Sequence, residues 1–455
     1  MFTVFKDKIP MDVVGICTTL KNCGHKSWIV GGSIRDLFMG KTPHDWDLAT
    51  TALPDEILRI FPKCIPTGLK HGTVTVVIND TCFEITTLRS EGESSSHRAP
   101  DSTTFITSIE EDLARRDFTM NAIAFDPLRD TFVDPFGGEI DIKNKVIRAV
   151  GDPDKRFEED NLRVLRAIRF STILGFAIEG NTASSISTVV PTFSTAVSKE
   201  RIIGELTKIF ESAETPSIAL ELVKQHGLLP LICAPLVNTI GCVQNKFHKF
   251  DVWNHTIRCV DEISKGKTIL RFAALLHDVG KPGVREINEK TGQFCFHGHE
   301  DASATIADAW LQEFKFSTKD KEKIVHLVQN HFINFGNRWS KSATRRFIKR
   351  VGIGNLNDLF SLNKADWNSK GVESEGITNL ENFIERVNEV LDTTTTQSLA
   401  LEIKDLAING NDVMTTCGIK QGKQVGVILN GLLEQVLDNP EFNERETLLN
   451  LIKNS

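Results

Sequence analysis

The chain of 455 residues contains no tyrosine, while phenylalanine reaches 28. Chemistry that needs a phenol is excluded. In a chain of otherwise average usage the gap points to replacement of tyrosine, mostly by phenylalanine, through engineering or unusual selection. No two cysteines are spaced as CxxC; the nine (Cys17, Cys23, Cys64, Cys82, Cys233, Cys242, Cys259, Cys295, Cys417) are odd in number and scattered. They read as buried, reduced thiols rather than a disulfide framework. No apolar run approaches bilayer length, and charged residues interrupt MFTVFKDKIP before an apolar core forms. Neither a membrane span nor a signal peptide is expected, and the expected location is the cytoplasm. A net charge of −7 excludes a general nucleic-acid coat, so any RNA has to be met by local basic patches.

The length exceeds what one hydrophobic core serves, so two to four domains are expected. SWIVGGSI (27–34) reads as a short strand running into paired glycines, RDLFMG as the start of a helix, and HDWDLAT as a second strand. TVTVVI (73–78) and CFEITTL (82–88) add two more strands, and SEGESSSHRAPDSTT has loop composition. Residues 1–140 thus read as mixed α/β. After the DPFGG turn (134–138) helical periodicity dominates almost to the end, with joints expected at 236–252 and at TTTTQS (393–398). No internal repeat is present.

The densest constellation is GGSIRD (31–36) followed by Asp45 and Asp47. Gly31 and Gly32 after a strand let the backbone approach a triphosphate, the following helix N-terminus offers amide donors, and Arg35 would neutralise phosphate charge. Residues i and i+2 of a strand share a face, so Asp45 and Asp47 would present two carboxylates together. That is the arrangement that holds two Mg²⁺ ions for in-line phosphoryl transfer. A lone DxD is usually a solvated pair and a lone GG a turn; order and spacing together carry the weight. Further on, at about 100° per residue, Asp160, Arg163, Arg166 and Arg169 fall on one half of a helix, with Leu162, Val164, Leu165 and Ile168 on the other. A carboxylate and a guanidinium one turn apart can pair with a base edge. The bland alternative is a surface salt bridge worth tenths of a kcal/mol.

GGSIRD with Asp45 and Asp47 resembles the polymerase β-like nucleotidyltransferase superfamily. ARRDFTMNAIAFD (114–126), DPFGG, RFEEDNLRVLRAIRF (156–170) and SKERIIGEL (198–206) look like the successive motifs of class II CCA-adding enzymes and bacterial poly(A) polymerases. The resemblance implies that Arg115 and Arg116 contact nucleotide phosphate, that Asp117 organises the site and that Asn121 sits by the sugar. It also implies that Asp160 with Arg163 selects CTP and ATP without a nucleic-acid template, with Arg116 joining Asp45 and Asp47 in catalysis. Glu84 in CFEITT is a candidate third carboxylate. The loop 89–104 resembles the flexible loop of CCA enzymes through Arg89, Arg98 and Asp101, although SSSH stands where an aromatic and an acid are more common.

A second constellation lies in the other half. His255 (VWNHT), His277 with Asp278 (LLHDVGKP) and Asp366 (KADW) resemble the ligand set of HD phosphohydrolases. Imidazoles with carboxylates suit Mn²⁺, Ni²⁺ or Co²⁺, or Mg²⁺ with water. His299 and His331 are candidates for a second metal or for phosphate. Such a site implies hydrolysis of phosphomonoesters or 2′,3′-cyclic phosphates.

The expected class is α+β. A nucleotidyltransferase head (1–140) would be followed by an all-helical neck and body (141–245), an HD domain (246–392) and a tail (393–455). The implied activity is addition of C, C and A to tRNA from CTP and ATP with Mg²⁺, with no membrane or DNA partner. A poly(A) polymerase, a CC-adding enzyme, or a phosphohydrolase with a vestigial transferase half are the alternatives. Lys199 with Arg201, and Arg345, Arg346, Lys349 and Arg350, are nominated as RNA-facing patches, with Lys420 and Lys423 adding charge in the tail.

Overall fold

The computed structural model describes residues 7–69, 72–91, 103–333, 339–372, 375–393 and 400–453. Arg98, Asp101 and most of the 393–398 stretch lie outside them. The chain divides into two compact units, 1–232 and 233–455, and each is described by itself.

The first unit is built on a seven-stranded sheet of order β3-β4-β5-β2-β1-β8-β9. Its strands are β1 (Ser27–Val30), β2 (Asp47–Thr50), β3 (Cys64–Gly68), β4 (Thr73–Ile78), β5 (Thr81–Thr87), β8 (Ala124–Asp126) and β9 (Thr131–Val133). β6 (Arg89–Glu91) and β7 (Thr103–Phe105) form a separate antiparallel ribbon. Within the large sheet β2 and β5 run parallel and the other neighbours antiparallel. SWIV is buried along its whole length, as a central strand covered on both faces requires. CFEITT alternates, sending Phe83, Ile85 and Thr87 inward and leaving Glu84 exposed. Helices α1 (Met11–Asn22) and α2 (Gly32–Phe38) pack on β1, and α3 (Pro54–Ile60) packs on β4. Trp28, Val30, Ala49, Leu88, Leu113 and Ala124 share one apolar cluster.

After α4 (Ile109–Ala114) and α5 (Gly138–Lys143) the unit becomes helical: α6 (Pro153–Glu159), α7 (Leu162–Leu174), α8 (Gly180–Ala196), α9 (Lys199–Ser212) and α10 (Ser217–Gln225). The expectation of an all-helical remainder is amended at two short strand pairs, one in each unit. Val146–Ile147 (β10) pairs in parallel with Ala177–Ile178 (β11), because the chain between them returns alongside itself. α11 (Leu229–Val237) carries the boundary between the units and is broken by non-helical dihedrals at Cys233.

DPFGG turns out to be a packing device. Asp134 accepts the backbone N–H groups of Gly138 and Glu139 at 2.8 and 3.0 Å, starting α5. A Cβ on Gly138 would run into the carbonyl oxygen of Thr119, inside RRDFTMNA. Two motifs distant in sequence are thereby pressed together, and only glycine permits it. Gly138→Ala is expected to lower the unfolding free energy by about 1–3 kcal/mol, read from the urea midpoint at unchanged slope.

The second unit is helical apart from a short ribbon, β12 (Glu286–Ile287) with β13 (Phe294–Cys295). It contains α12 (Val252–Glu262), α13 (Thr268–Leu276), α14 (His299–Glu313), α15 (Thr318–Asn330), α16 (Lys341–Val351), α17 (Ile353–Ser369) and α18 (Gly376–Thr393). It ends with α19 (Gly410–Cys417), α20 (Lys423–Asp438) and α21 (Arg445–Lys453), which close over their own core of Val413, Leu429, Leu433, Leu437 and Leu448. Among the described residues no single helix is long and apolar enough to cross a membrane.

Candidate functional sites

In the first unit a cleft of about 790 Å³ collects all thirteen residues read as catalytic or nucleotide-binding in the head and neck. The sequence places its floor. β1 ends at Val30 and is followed by Gly31, whose φ of 76° a side chain rarely adopts and whose Cβ would point at Arg116 and Asp47. α2 then starts at Gly32 and carries Arg35 one turn in.

β2 begins at Asp47, so Asp45 precedes the strand, and the pleat does not set their shared direction. Asp47 stands beside Glu84 in the parallel register of β2 and β5, which brings a third carboxylate to the site. Burial, then Glu84 and Asp45 against the counteracting Arg116, raises the Asp47 carboxyl above its ordinary value. Carboxylates gathered this way attract a cation, and their oxygen donors fit Mg²⁺, an oxygen-seeking ion.

The arginines are held from beneath. Buried Asp112 bonds Arg115 at 2.8 Å and Arg116 at 3.3 Å, both within one turn of its helix. Arg35 donates to Asn121 Oδ1 at 3.0 Å, and Asn121 donates to Asp117 at 3.0 Å. Asp117 in turn pairs with Arg166 at 2.6 Å. Burial opposes ionisation of Asp117, but Arg166, the Asn121 amide and the Phe118 N–H overcome it and hold the carboxyl at about 2. Arg169 pairs with Glu205, buried on α9, at 3.2 Å. Arg35, Arg166 and Arg169 all lie over the Phe170 ring, at 5.3, 5.6 and 4.5 Å.

The pair Asp160 and Arg163 differs from expectation. Asp160 and Arg163 are not on one continuous helix. Asp160 is extended (φ −153°) between α6 and α7, and its Oδ1 accepts the N–H of Leu162 as a cap would. Its carboxylate is gripped by Arg201 at 3.1 and 2.7 Å. Arg163 is buried and bonds Glu159 at 2.6 Å and the Arg115 carbonyl at 3.1 Å. Both still line the cleft. Arg201 therefore faces this cleft and not a general RNA surface. The cleft carries nine cationic side chains against five carboxylates, a positive hollow in an acidic chain that suits polyphosphate. Phe170, Lys208 and Arg89 line it as well. Of the supporting groups, Asp112 was legible from its i, i+3 and i+4 spacing to the arginines, whereas Glu205 gave no signal.

The second unit gathers the other set. α12 presents His255, and the buried apolar run of α13 delivers His277 and Asp278 at its end. Gly280 lets the N-terminal turns of α14 come close, since a Cβ there would stand 2.5 Å from the Ser303 nitrogen. That approach brings His299; His331 caps α15 and Asp366 stands on α17.

Around Asp278 Oδ2 lie His255 Nε2 at 3.4 Å and His277 Nε2 at 3.2 Å, with Asp366 Oδ1 3.0 Å from His255 and 3.8 Å from His277. Around Asp278 Oδ1 lie His299 Nε2 at 3.5 Å and His331 Nε2 at 3.7 Å, themselves 3.2 Å apart. Donors about 2.1 Å from one ion are about 3.0–3.4 Å apart at right or tetrahedral angles. Four of the seven separations fall in that range and the other three, at 3.5, 3.7 and 3.8 Å, lie just above it, with Asp278 between the two halves.

Each of these imidazoles is aimed by its other nitrogen. Nδ1 of His277, His299 and His331 bonds the carbonyls of Ala274, Phe296 and Val328 at 2.7–2.8 Å. Nδ1 of His255 bonds Ser369 Oγ at 3.1 Å. This second-layer wiring leaves Nε2 as a lone pair facing the cluster. Both oxygens of Asp278 are buried, and Oδ2 is paired with the Lys281 ammonium at 2.6 Å. Burial works against its charge, yet the adjacent Lys281 ammonium helps keep the carboxyl well below the usual range. Burial pushes His299 down to about 3, leaving a neutral ligand. The donor set fits divalent cations.

Three of the four cations of the other nominated patch are engaged by the tail, while Arg350 is exposed over the Phe347 ring. Arg345 donates to the Leu437 and Asp438 carbonyls at 2.6 and 2.8 Å, closing the end of α20. Arg346 pairs with Glu434 and Asp438, and Lys349 with Glu434, all near 3 Å. These cations dock the tail; they are not a free surface for RNA.

The chain resembles known proteins along much of its length. Residues 27–148 match the Poly A polymerase head domain, 175–238 the probable RNA and SrmB-binding site of polymerase A, and 248–358 the HD domain. The CCA-adding enzyme of Geobacillus kaustophilus (strain HTA426) is 47% identical over 215 residues, 47% of this chain and 52% of that one. That of Geobacillus thermodenitrificans (strain NG80-2) is 46% identical over the same length. The chain thus spans about half the length of these two relatives in alignment. Over a longer stretch, the CCA-adding enzyme of Geobacillus sp. (strain WCH70) is 32% identical across 436 residues, 96% of this chain and 94% of its own. Among solved structures, Bacillus stearothermophilus CCA-adding enzyme in complex with CTP superposes with a TM-score of 0.73 at 28% identity, covering 98% and 96% of the two chains. The Thermotoga maritima CCA-adding enzyme complexed with tRNA shares the fold, at a TM-score of 0.56 and 18% identity. The chain belongs to the family of CCA-adding enzymes, the tRNA nucleotidyltransferases.

Proposed function

We propose that this protein adds C, C and A to the 3′ end of tRNA, taking CTP and ATP as substrates. The observation that carries the reading is the convergence of Asp45, Asp47 and Glu84 with an arginine-rich wall in one cleft. When bound by these carboxylates, Mg²⁺ supplies the Lewis acidity for attack of the tRNA 3′-hydroxyl on the α-phosphate, with release of pyrophosphate. The protein's own groups do the rest. Arg35, Arg115 and Arg116 receive the triphosphate, Gly31 and Gly32 keep the approach clear, and Asn121 and Asp117 fix the direction of Arg35 and Arg166. Asp160, oriented by Arg201, and Arg163 face the base edge. No protein nucleophile is needed.

Residues 1–140 act as the transferase head and 141–245 as the neck and body that complete nucleotide and tRNA binding. Residues 246–392 form an HD unit, with 393–455 as its tail. The HD cluster serves as a metal-dependent phosphohydrolase for phosphomonoesters or 2′,3′-cyclic phosphates at damaged tRNA ends. Mn²⁺, Ni²⁺ or Co²⁺ fits its imidazole-rich ligands. The nine cysteines are free, which accords with a reducing, cytoplasmic setting.

The test is direct. tRNA lacking CCA is incubated with labelled CTP, ATP or both. CTP alone is expected to add two residues, and both nucleotides to add three and stop. Long tails from ATP alone would replace this reading with poly(A) synthesis, and a halt after CC with a CC-adding enzyme.

A further inference from the structure

His248 lies seven residues before His255 and outside the HD ligand pattern. Its Nδ1 is 3.0 Å from Asn245 Oδ1, an oxygen that also accepts the Phe247 N–H at 3.2 Å. The amide oxygen is thus the acceptor, and His248 carries its proton on Nδ1. This is the wiring of the four imidazoles around Asp278: Nδ1–H tied to an oxygen, Nε2 a lone pair. His248 Nε2 is buried and has no hydrogen-bond partner. A lone pair left that way costs about 1–3 kcal/mol. The ring stands edge-on to His255 at 5.1 Å, and donor atoms of His248, His255 and Asp366 all lie within 4.8 Å of one another. Two ammonium groups near the cluster are already engaged: Lys281 by Gln244 and Asp278 at 2.8 and 2.6 Å, Lys370 by Asp366 at 3.2 Å.

An octahedral cation with bonds of about 2.1 Å keeps adjacent donors about 3.0 Å apart and opposite donors about 4.2 Å apart. His255 and Asp366, 3.0 Å apart, have the adjacent spacing. The range available to His248 includes the opposite one.

We propose that His248 is an additional ligand of the cation held by His255, His277, Asp278 and Asp366, so that this position is richer in imidazole than the one held by Asp278, His299 and His331. The inference rests on reading the cluster as a metal centre. It makes the first position the tighter and the more selective for nitrogen-preferring ions, and leaves the second with more open positions for water or a phosphate oxygen.

The full chain, stripped with chelator, is titrated with Co²⁺ while the visible d–d absorption and bound metal are followed. His248→Ala and His248→Gln are expected to weaken the tighter of two binding steps at least about tenfold and to alter its absorption band. Free imidazole is expected to restore the band in His248→Ala. Thermal unfolding without metal accompanies each variant, and His248→Gln serves if the alanine variant does not fold. Unchanged affinity and an unchanged band in folded variants overturn the assignment and make His248 a packing residue. No Co²⁺ binding by the wild-type chain overturns the metal centre itself, and this inference with it.

Discussion

Asp47→Asn is expected to reduce CMP and AMP incorporation into tRNA about a thousandfold or more, with no loss of stability in metal-free buffer. The amide keeps the shape but removes a charge from the three-carboxylate set. A cation that stabilises developing charge by about 4 kcal/mol accounts for a factor of that size. Stability should move the other way. Burial and the neighbouring Glu84 and Asp45 raise the Asp47 pKa in the folded chain. A carboxyl raised in this way favours the fold while protonated, and that contribution disappears as pH rises through the native value. Near neutral pH the ionised Asp47 therefore works against folding, and a neutral amide relieves it. Thermal unfolding with chelator, run beside the incorporation assay, separates the two effects. Retained addition would refute the ligand assignment, and a lower midpoint would show that the lesion is structural.

The second large effect is predicted at Asp278. Because its two oxygens face two different histidine pairs, Asp278→Ala should abolish both metal-binding steps at once. His299→Ala should abolish only the one that His299 serves. A bound cation at about a hundred times its Kd stabilises the fold by about 2.7 kcal/mol, so the rise in midpoint on adding Mn²⁺ should vanish in Asp278→Ala and shrink in His299→Ala. Metal content measured after gel filtration gives the stoichiometry. If Asp278→Ala loses a single ion, the carboxylate does not bridge. Nucleotide addition, which uses the other unit, is the folding control.

Much of the site was legible because local rules govern it. β1, β4 and β5 follow from their apolar runs, and Gly31 from its place between strand and helix. Other features depend on partners that arrive from far along the chain. Glu84 drew attention as a candidate third carboxylate, but its place beside Asp47 comes from strand register, which spacing within CFEITT does not contain. Arg345, Arg346 and Lys349 read as an RNA patch because the Leu437 and Asp438 carbonyls and the Glu434 carboxylate that consume them lie about ninety residues away. The break between α6 and α7 is different, since its cue was local. Asp160 and Asn161 are cap-forming residues ahead of an apolar run, and placing Asp160 on one helix with Arg163, Arg166 and Arg169 overlooked them. His299 and His331 drew attention as histidines, but their joint placement opposite Asp278 needed the fold.

The parallel pairing of β2 with β5 has a consequence for how the protein acquires activity. The neighbouring pairs β3–β4 and β4–β5 join segments adjacent in sequence, and each can zip from its own turn. β2 and β5 instead meet only after α3, β3 and β4 have been threaded between them. Such non-local closure comes late on the folding route, because loop entropy must be overcome first. The pairing that aligns Asp47 with Glu84 therefore forms after the β3–β4 and β4–β5 hairpins. A nascent or partly opened head in which β2 and β5 have not met holds no assembled carboxylate set.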